Sequence, residues 1–294
     1  MKYIASPTIQ QLYFDTPPRQ VDQHLESLFF SRLRVANGVF KTTTHGRLDD
    51  VNQRLFKWLP RQRRLNIMDV AVSSGISTLE WMHHLNAKGI SHEMTAGDVA
   101  INLEYVTVAR GVCVLVDRDG IPLQLDVGSI SFPNASGSRW RNACFKFGQL
   151  FLRPMLFLDK HSQCSRRDQE RRFSLSLPRR PLKLVSPALL EHGAQITVLE
   201  DDIAVRTPEL DRRFDVVRAA NILNSVYFDT STLKRMARNL KRRLVSGGLL
   251  VICRTDPKGM NHGGIFRLNE RHSLQILESF GDGADAAILT SSDG

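Results

Sequence analysis

The run Leu65-Asn66-Ile67-Met68-Asp69-Val70-Ala71-Val72 is short, largely apolar and cut off by the small polar turn Ser73-Ser74-Gly75. A strand covered on both faces reads this way, because a parallel sheet leaves neither face to water. The turn opens a helical pattern, Ile76, Leu79, Met82 and Leu85, which Gly89 closes. A second strand then ends near Asp98, and another helix is expected over 100–110. The same rhythm returns at Ile196–Leu199 and Phe214–Val217. An amphipathic helix follows over 230–245, with Leu233, Met236, Ala237, Leu240 and Leu244 on one side, and Gly247-Gly248 is expected to end it. Leu249–Cys253 is a further apolar strand, and Ile265–Leu268 and Ala286–Thr290 are expected to be the last two. Strands and helices alternating across glycine-containing turns build an α/β fold, a doubly wound and mostly parallel sheet.

The chain of 294 residues has 42% hydrophobic residues, enough to bury a core, which excludes wholesale disorder. No apolar run approaches the ~20 residues that a membrane-spanning helix needs, so no transmembrane segment is expected. The start, MKYIASPTIQQLYF, lacks the apolar centre of a secretion signal. Cys113, Cys144, Cys164 and Cys253 are far apart and form no CxxC pair, so neither a disulfide framework nor a metal site is expected. A reducing, cytoplasmic compartment fits these features.

Ligands of a doubly wound sheet bind beyond the carboxyl ends of its strands. Four sequence sites lie there. In Asp69 to Gly75 a strand flows into a helix through Ala71, Ser73 and Gly75, and small residues let the backbone approach a ligand closely. A plain turn reads the same way. Asp98 is placed either to accept the two hydroxyl hydrogens of a ribose or to cap the next helix. Glu200-Asp201-Asp202-Ile203 offers an acid to an exocyclic amine, or is a solvated acidic loop. The fourth site is Phe214-Asp215-Val216-Val217-Arg218-Ala219-Ala220-Asn221, followed by Ile222-Leu223-Asn224-Ser225-Val226-Tyr227-Phe228.

Taken together, these residues resemble the class I S-adenosylmethionine-dependent methyltransferases. The most specific part is FDVVRAANILNSVYF with LKRRLVSGGLLVI after it, whose loop pattern is similar to the chemotaxis-receptor methyltransferase branch. The resemblance covers roughly residues 64–111 and 186–256. It implies a seven-stranded Rossmann-like methyltransferase sheet with its last strands antiparallel, and S-adenosyl-L-methionine as cofactor. It further implies that Asp69, Ala71, Ser73 and Gly75 form the loop under the methionine part. Asp98 is then the ribose ligand, Asp202 and Ile203 lie at the adenine, and Asn221 lies beside the sulfonium. The expected layout is an N-terminal helical cap over 1–63 and a methyltransferase domain over 64–294 with an inserted subdomain, 112–185. The sequence departs from the family in having only Gly75 in the cofactor loop, and it has no Asn-Pro-Pro-Tyr signature. The acceptor stays open: a protein carboxyl, an RNA, or none at all in a regulatory module that binds cofactor without catalysis. Tyr227, His262 and His272 are possible general bases by residue type, and no catalytic residue is assigned.

The charge is uneven. The net is +10; residues 1–65 hold 11 Lys/Arg against 5 Asp/Glu, and residues 112–185 hold 13 against 6. Val112–Val116 and Ile121–Leu125 read as a hairpin about Asp117-Arg118-Asp119-Gly120. Trp140–Leu158 is rich in Phe and Leu, with Pro154 expected to kink or end a helix. A helix on the core, a lid and an interfacial membrane segment all fit this stretch. Residues 160–183 follow with Lys160, Arg166, Arg167, Arg171, Arg172, Arg179, Arg180 and Lys183 against Asp168 and Glu170. Phe173 is the one aromatic in that run, and base stacking wants more, so the run reads either as a solvated basic surface or as a site for a polyanion's phosphates or an anionic membrane surface.

Overall fold

In the computed structural model, β1 (Leu65–Val70) is buried at five of six positions and sits inside a seven-stranded sheet. The spatial order is β8 (Ile196–Glu200), β2 (His92–Asp98), β1, β9 (Phe214–Ala220), β10 (Leu244–Thr255), β11 (Asn261–Leu268) and β12 (Leu274–Phe280). The first five are parallel; β11 runs antiparallel to β10, and β12 to β11. The fold is thus a mixed α/β one. The structure describes residues 6–284 except 16, 18–20, 36–39, 42–43, 61–62, 136–137 and 165–175, with 157–164 described by backbone alone. The strand expected at Ala286–Thr290 lies outside the described residues.

Two helices link parallel neighbours. α3 (Ile76–Ala87) joins β1 to β2, and α6 (Thr230–Arg243) joins β9 to β10. Asp229 caps α6 by accepting from the Thr232 N–H at 2.8 Å. Its apolar face, Leu233, Met236, Ala237 and Leu240, is buried against Phe214, Val217 and Leu250 of the sheet. Each of the larger side chains contributes about 1.5–3 kcal/mol there. The helix stops at Arg243, ahead of the expected Gly247-Gly248. Its last carbonyls, of Arg242 and Arg243, accept from the Arg212 and Arg213 N–H groups at 2.8 and 2.9 Å. Gly247, at φ +77, instead sits where the pairing of β10 with β9 shifts register.

The chain between β2 and β8 makes a second sheet. Its order is β6 (Ile130–Pro133), β5 (Pro122–Val127), β4 (Val112–Asp117), β3 (Asn102–Ala109) and β7 (Arg179–Lys183), all antiparallel. The helix expected over 100–110 is therefore strand β3. Leu103 and Tyr105 pack on one face and Val106 on the other, the two-residue period of a strand covered on both sides. Helix α4 (Arg139–Cys164) covers one face and runs through Pro154, where the sequence predicts a kink or an end.

The chain divides into two units, 1–43 with 100–191 and 44–99 with 192–294. The boundaries differ from those expected at 63, 112 and 185, and the residues before 64 do not form one cap. Ile9, Leu12, Phe29, Phe30 and Leu33, with helix α1 (Gln23–Ser31), pack on Leu103, Tyr105 and Leu115 of the five-stranded sheet. Helix α2 (Asp49–Leu55) goes with the other unit.

One buried carboxylate ties the N-terminal segment to that sheet. Asp126 on β5 accepts from the Ile9 N–H at 2.9 Å, the Tyr105 hydroxyl at 3.0 Å and Gln124 Nε2 at 2.9 Å. Burial lifts its carboxyl to about 6, against the hydrogen bonds, which pull it down. The folded pKa lies above the unfolded one, so the group's contribution is full below about pH 4 and is lost as pH rises through 6. The expected loss is roughly 3 kcal/mol. Urea titrations across that window should show wild-type stability falling relative to Asp126→Asn; parallel profiles would remove Asp126 as the cause.

Candidate functional site

β1 is paired with β2 on one side and β9 on the other, so the chain's path through the sheet reverses at β1 and β9. In open α/β sheets the carboxyl ends of such strands frame the ligand crevice. Both strands leave the sheet here through left-handed backbone. Ala71 (φ 54), Ser73 (φ 61) and Gly75 (φ 80) follow β1, and Asn221 (φ 60) follows β9. Glycine takes such a φ freely, but for Ala, Ser and Asn it costs on the order of 1 kcal/mol, and residues of this kind cluster at functional sites.

Hydrogen bonds hold the loop. The Val72 N–H donates to Gly97 O at 3.1 Å, and the Gly75 N–H to Val72 O at 2.9 Å. The Ser73 N–H donates to Asp98 Oδ2 at 2.8 Å, so two of the expected site residues meet directly. Gly97 leaves room for this packing, since a Cβ there would stand 3.3 Å from Met68 Cε. Gly75 is the N-cap of α3, and the fully buried Ser74 Oγ beside it has no hydrogen-bond partner among the described residues.

Asp69 turns its carboxylate into the interior. Its carboxylate takes Arg218 at two points, Nε at 2.9 Å and Nη2 at 2.6 Å, and Thr78 Oγ1 at 2.7 Å. Arg218 is fully buried, reaches Asn52 Oδ1 and Ser77 O, and lies 4.1 Å over the Trp81 ring. Asp69 therefore braces the strands beneath the loop. At the end of β8, Asp202 is exposed and turns its carboxylate to the Ala204 N–H at 2.8 Å, whereas Ile203 is buried in the core. The buried acid of that loop is Asp201, held at two points by Arg243 at 2.6 and 2.9 Å.

Asn221 is anchored to the neighbouring strand. Its Oδ1 accepts from the Thr255 N–H at 2.6 Å, and its Nδ2 donates to Thr255 Oγ1 at 3.2 Å. Thr255 Oγ1 bonds Asn261 Oδ1 at 2.8 Å, and Asn261 Nδ2 reaches Asp50 Oδ1 at 2.5 Å. This polar chain joins β9, β10, β11 and α2. Arg47, just before α2, was missed by the sequence reading. Its Nε is buried with no hydrogen-bond partner among the described residues, and burial lowers its pKa.

The possible bases are otherwise engaged or exposed. Tyr227 is exposed. His262 Nδ1 accepts from the Asp282 N–H at 2.9 Å, which leaves the ring proton on Nε2, 3.3 Å from Asp256 Oδ2. His272 lies on a turn at φ 55. Two clefts of about 440 and 380 Å³ lie elsewhere, in the five-stranded unit, around Gly120 and Leu156. Among their lining charges, Arg179 pairs with Glu104, and Asp117 Oδ1 accepts from the Asp119 and Ile121 N–H groups of its own turn.

No protein-family profile matches the chain, and no curated protein matches it. Solved structures similar to it include S-adenosylmethionine-dependent methyltransferases. The methyltransferase domain of the citrinin polyketide synthase is 13% identical over 70% of this chain and 34% of its own, with a TM-score of 0.33. A SAM-dependent methyltransferase from Methanosarcina mazei is 14% identical over 68% and 56%, with a TM-score of 0.30. The PH0226 protein from Pyrococcus horikoshii is 10% identical over 82% and 76%, with a TM-score of 0.35. The chain thus spans about a third of the first and just over half of the second.

The Asp69–Arg218 pair makes a stability test. Arg218→Met leaves a buried carboxylate without its cation, which costs about 3–5 kcal/mol. Adding Asp69→Leu should recover most of that, because the unpaired charge goes with it. Urea unfolding of the single and double variants measures both steps; a single variant within about 1 kcal/mol of wild type contradicts the assigned role.

Proposed function

We propose that this chain binds S-adenosylmethionine at the carboxyl ends of β1, β2 and β9 and transfers its methyl group to an acceptor. One observation carries the reading: the left-handed loop after β1 is bonded through its Ser73 N–H to Asp98, the acid that ends the neighbouring strand. A carboxylate at the rim of a close-approach loop suits a ribose diol, and the seven-stranded sheet supplies the frame. The donors present fit the cofactor. Ala71, Ser73 and Gly75 would hold its methionine part, with the orphaned Ser74 Oγ at the same turn. Asp98 would take the ribose and exposed Asp202 the adenine, with Ile203 seating that loop on the core. Asn221, fixed by Thr255, would stand beside the sulfonium.

When bound, S-adenosylmethionine supplies a methyl group on an already activated leaving group. What remains for the protein is proximity and orientation, and the rigid bonding of Asn221 and of the 71–75 loop serves that end. A conspicuous triad is not required, and a base is needed only for a protonated nucleophile.

Calorimetry with S-adenosylmethionine and S-adenosylhomocysteine tests the reading, and both should bind. Charge-assisted bonds from Asp98 are worth roughly 1.5–3 kcal/mol each, so Asp98→Ala should weaken S-adenosylhomocysteine binding more than about tenfold. Asp98→Asn keeps an acceptor for the Ser73 N–H and separates loop support from ligand contact; it too should weaken binding. Unchanged affinity in a folded Asp98→Asn variant would take Asp98 out of the ligand site, and failure of wild type to bind either compound would end the proposal.

A further inference from the structure

We propose that the outward face of α4 docks on anionic membrane surfaces. The inward face is settled by packing: Phe145, Leu152 and Leu156 are buried with Val114, Val116 and Leu125 of the five-stranded sheet. Gly148 lets the helix come close, since a Cβ there would stand 2.9 Å from Leu125 Cδ2. At about 100° per residue, Trp140, Phe147, Leu150 and Phe151 fall on the opposite side. They are 64–70% exposed. The Phe147 and Phe151 rings pack edge to face with centroids 5.1 Å apart, which makes the stripe continuous. Ile130, on the β5–β6 hairpin beside the helix, is exposed as well. Four large apolar side chains left in water on one helix face are more than a core requires, and such patches mark interaction sites.

The charges select the occupant. Arg139, Lys146 and Arg153 are exposed and spaced seven apart, so they form a row along one border of the stripe. No Asp or Glu occurs between Arg139 and Leu158. A second copy docking face to face would bring the same cations against these. A soluble polyanion without free bases would use the cations and leave the aromatics in water. An anionic bilayer uses both, with the apolar stripe in the headgroup boundary and the basic row on the phosphates. In sequence, residues 160–183 carry eight further Lys/Arg against two Asp/Glu. Attachment would be interfacial, since no described helix is long and apolar enough to cross a membrane.

The test is flotation of the full chain with vesicles of phosphatidylcholine alone or with phosphatidylserine, at low and physiological salt. Binding should require phosphatidylserine, weaken with salt without vanishing, and shift tryptophan emission to the blue through Trp140. Phe147→Ser with Phe151→Ser, both on the surface, should cut partitioning at least about tenfold while leaving the circular dichroism unchanged. Arg139→Ser, Lys146→Ser and Arg153→Ser together should abolish the preference for phosphatidylserine. Three results would overturn the proposal: no vesicle binding at low salt, full binding by the double Phe variant, or a dimer in sedimentation that this same variant abolishes. Binding to polyuridylate that displaces vesicles without the Trp140 shift would assign the face to nucleic acid instead.

Discussion

Arg218 is a guanidinium with no access to water, set in the middle of β9 between Val217 and Ala219. A charge so placed survives only with a partner of opposite sign and with its remaining donors satisfied. Asp69, its register neighbour on β1, supplies the charge; Asn52, Ser77 and the Trp81 ring take what is left. The pair sits where the strand order reverses, so it fixes the spacing of the two strands whose ends frame the candidate site. Arg243 and Asp201 repeat the device between α6 and the loop after β8. In both cases an acid close to the expected ligand positions works downward, into the sheet. Asp98, by contrast, is an acid bonded to the loop itself.

This division of labour explains how a loop with one glycine holds three left-handed residues. The cost at Ala71 and Ser73 is offset by bonds to the neighbouring strand β2, the Val72 N–H donating to Gly97 O and the Ser73 N–H to Asp98. Asn221 is treated alike, with its side chain closing on Thr255. The left-handed positions at these strand ends are therefore tied by hydrogen bonds to neighbouring strands.

Much of the parallel sheet was legible because its strands are continuous apolar runs and its helices carry a clean period. β1, β2, β8 and β9 were found within two or three residues, and so was the buried face of α6. The failures have local causes. Residues 100–110 follow one βα step and a second strand, a rhythm that suggests a helix, yet Leu103 and Tyr105 pack on one face and Val106 on the other. Gly247-Gly248 looked like a helix stop, but the Arg212 and Arg213 N–H groups end α6 a turn earlier. Of the expected site, Ser73, Gly75, Asp98 and Asn221 lie at the strand ends, while Asp69 and Ile203 are committed to the interior. Arg218 was readable in principle, since an arginine inside an apolar strand demands a buried acid. Arg47 left no comparable signal, because it precedes a short helix in a polar stretch.

The five-stranded sheet begins and ends, in chain order, on adjacent strands, β3 and β7. Asn102 is paired with Lys183, and the Leu184 N–H donates to Ile101 O at 2.8 Å. Its segment from Ala100 to Glu191 is therefore gathered at its base like a purse closed by a drawstring. To the parallel sheet such a segment counts as the closing of one loop, and closure entropy grows only with the logarithm of length, about 0.6 kcal/mol per doubling. Additions or losses beyond that base, in β4 to β6 or α4, leave the two attachment points where they are. The register of the strands under Asp98 and Asn221 is set by their own pairing, not by the length enclosed between those two points.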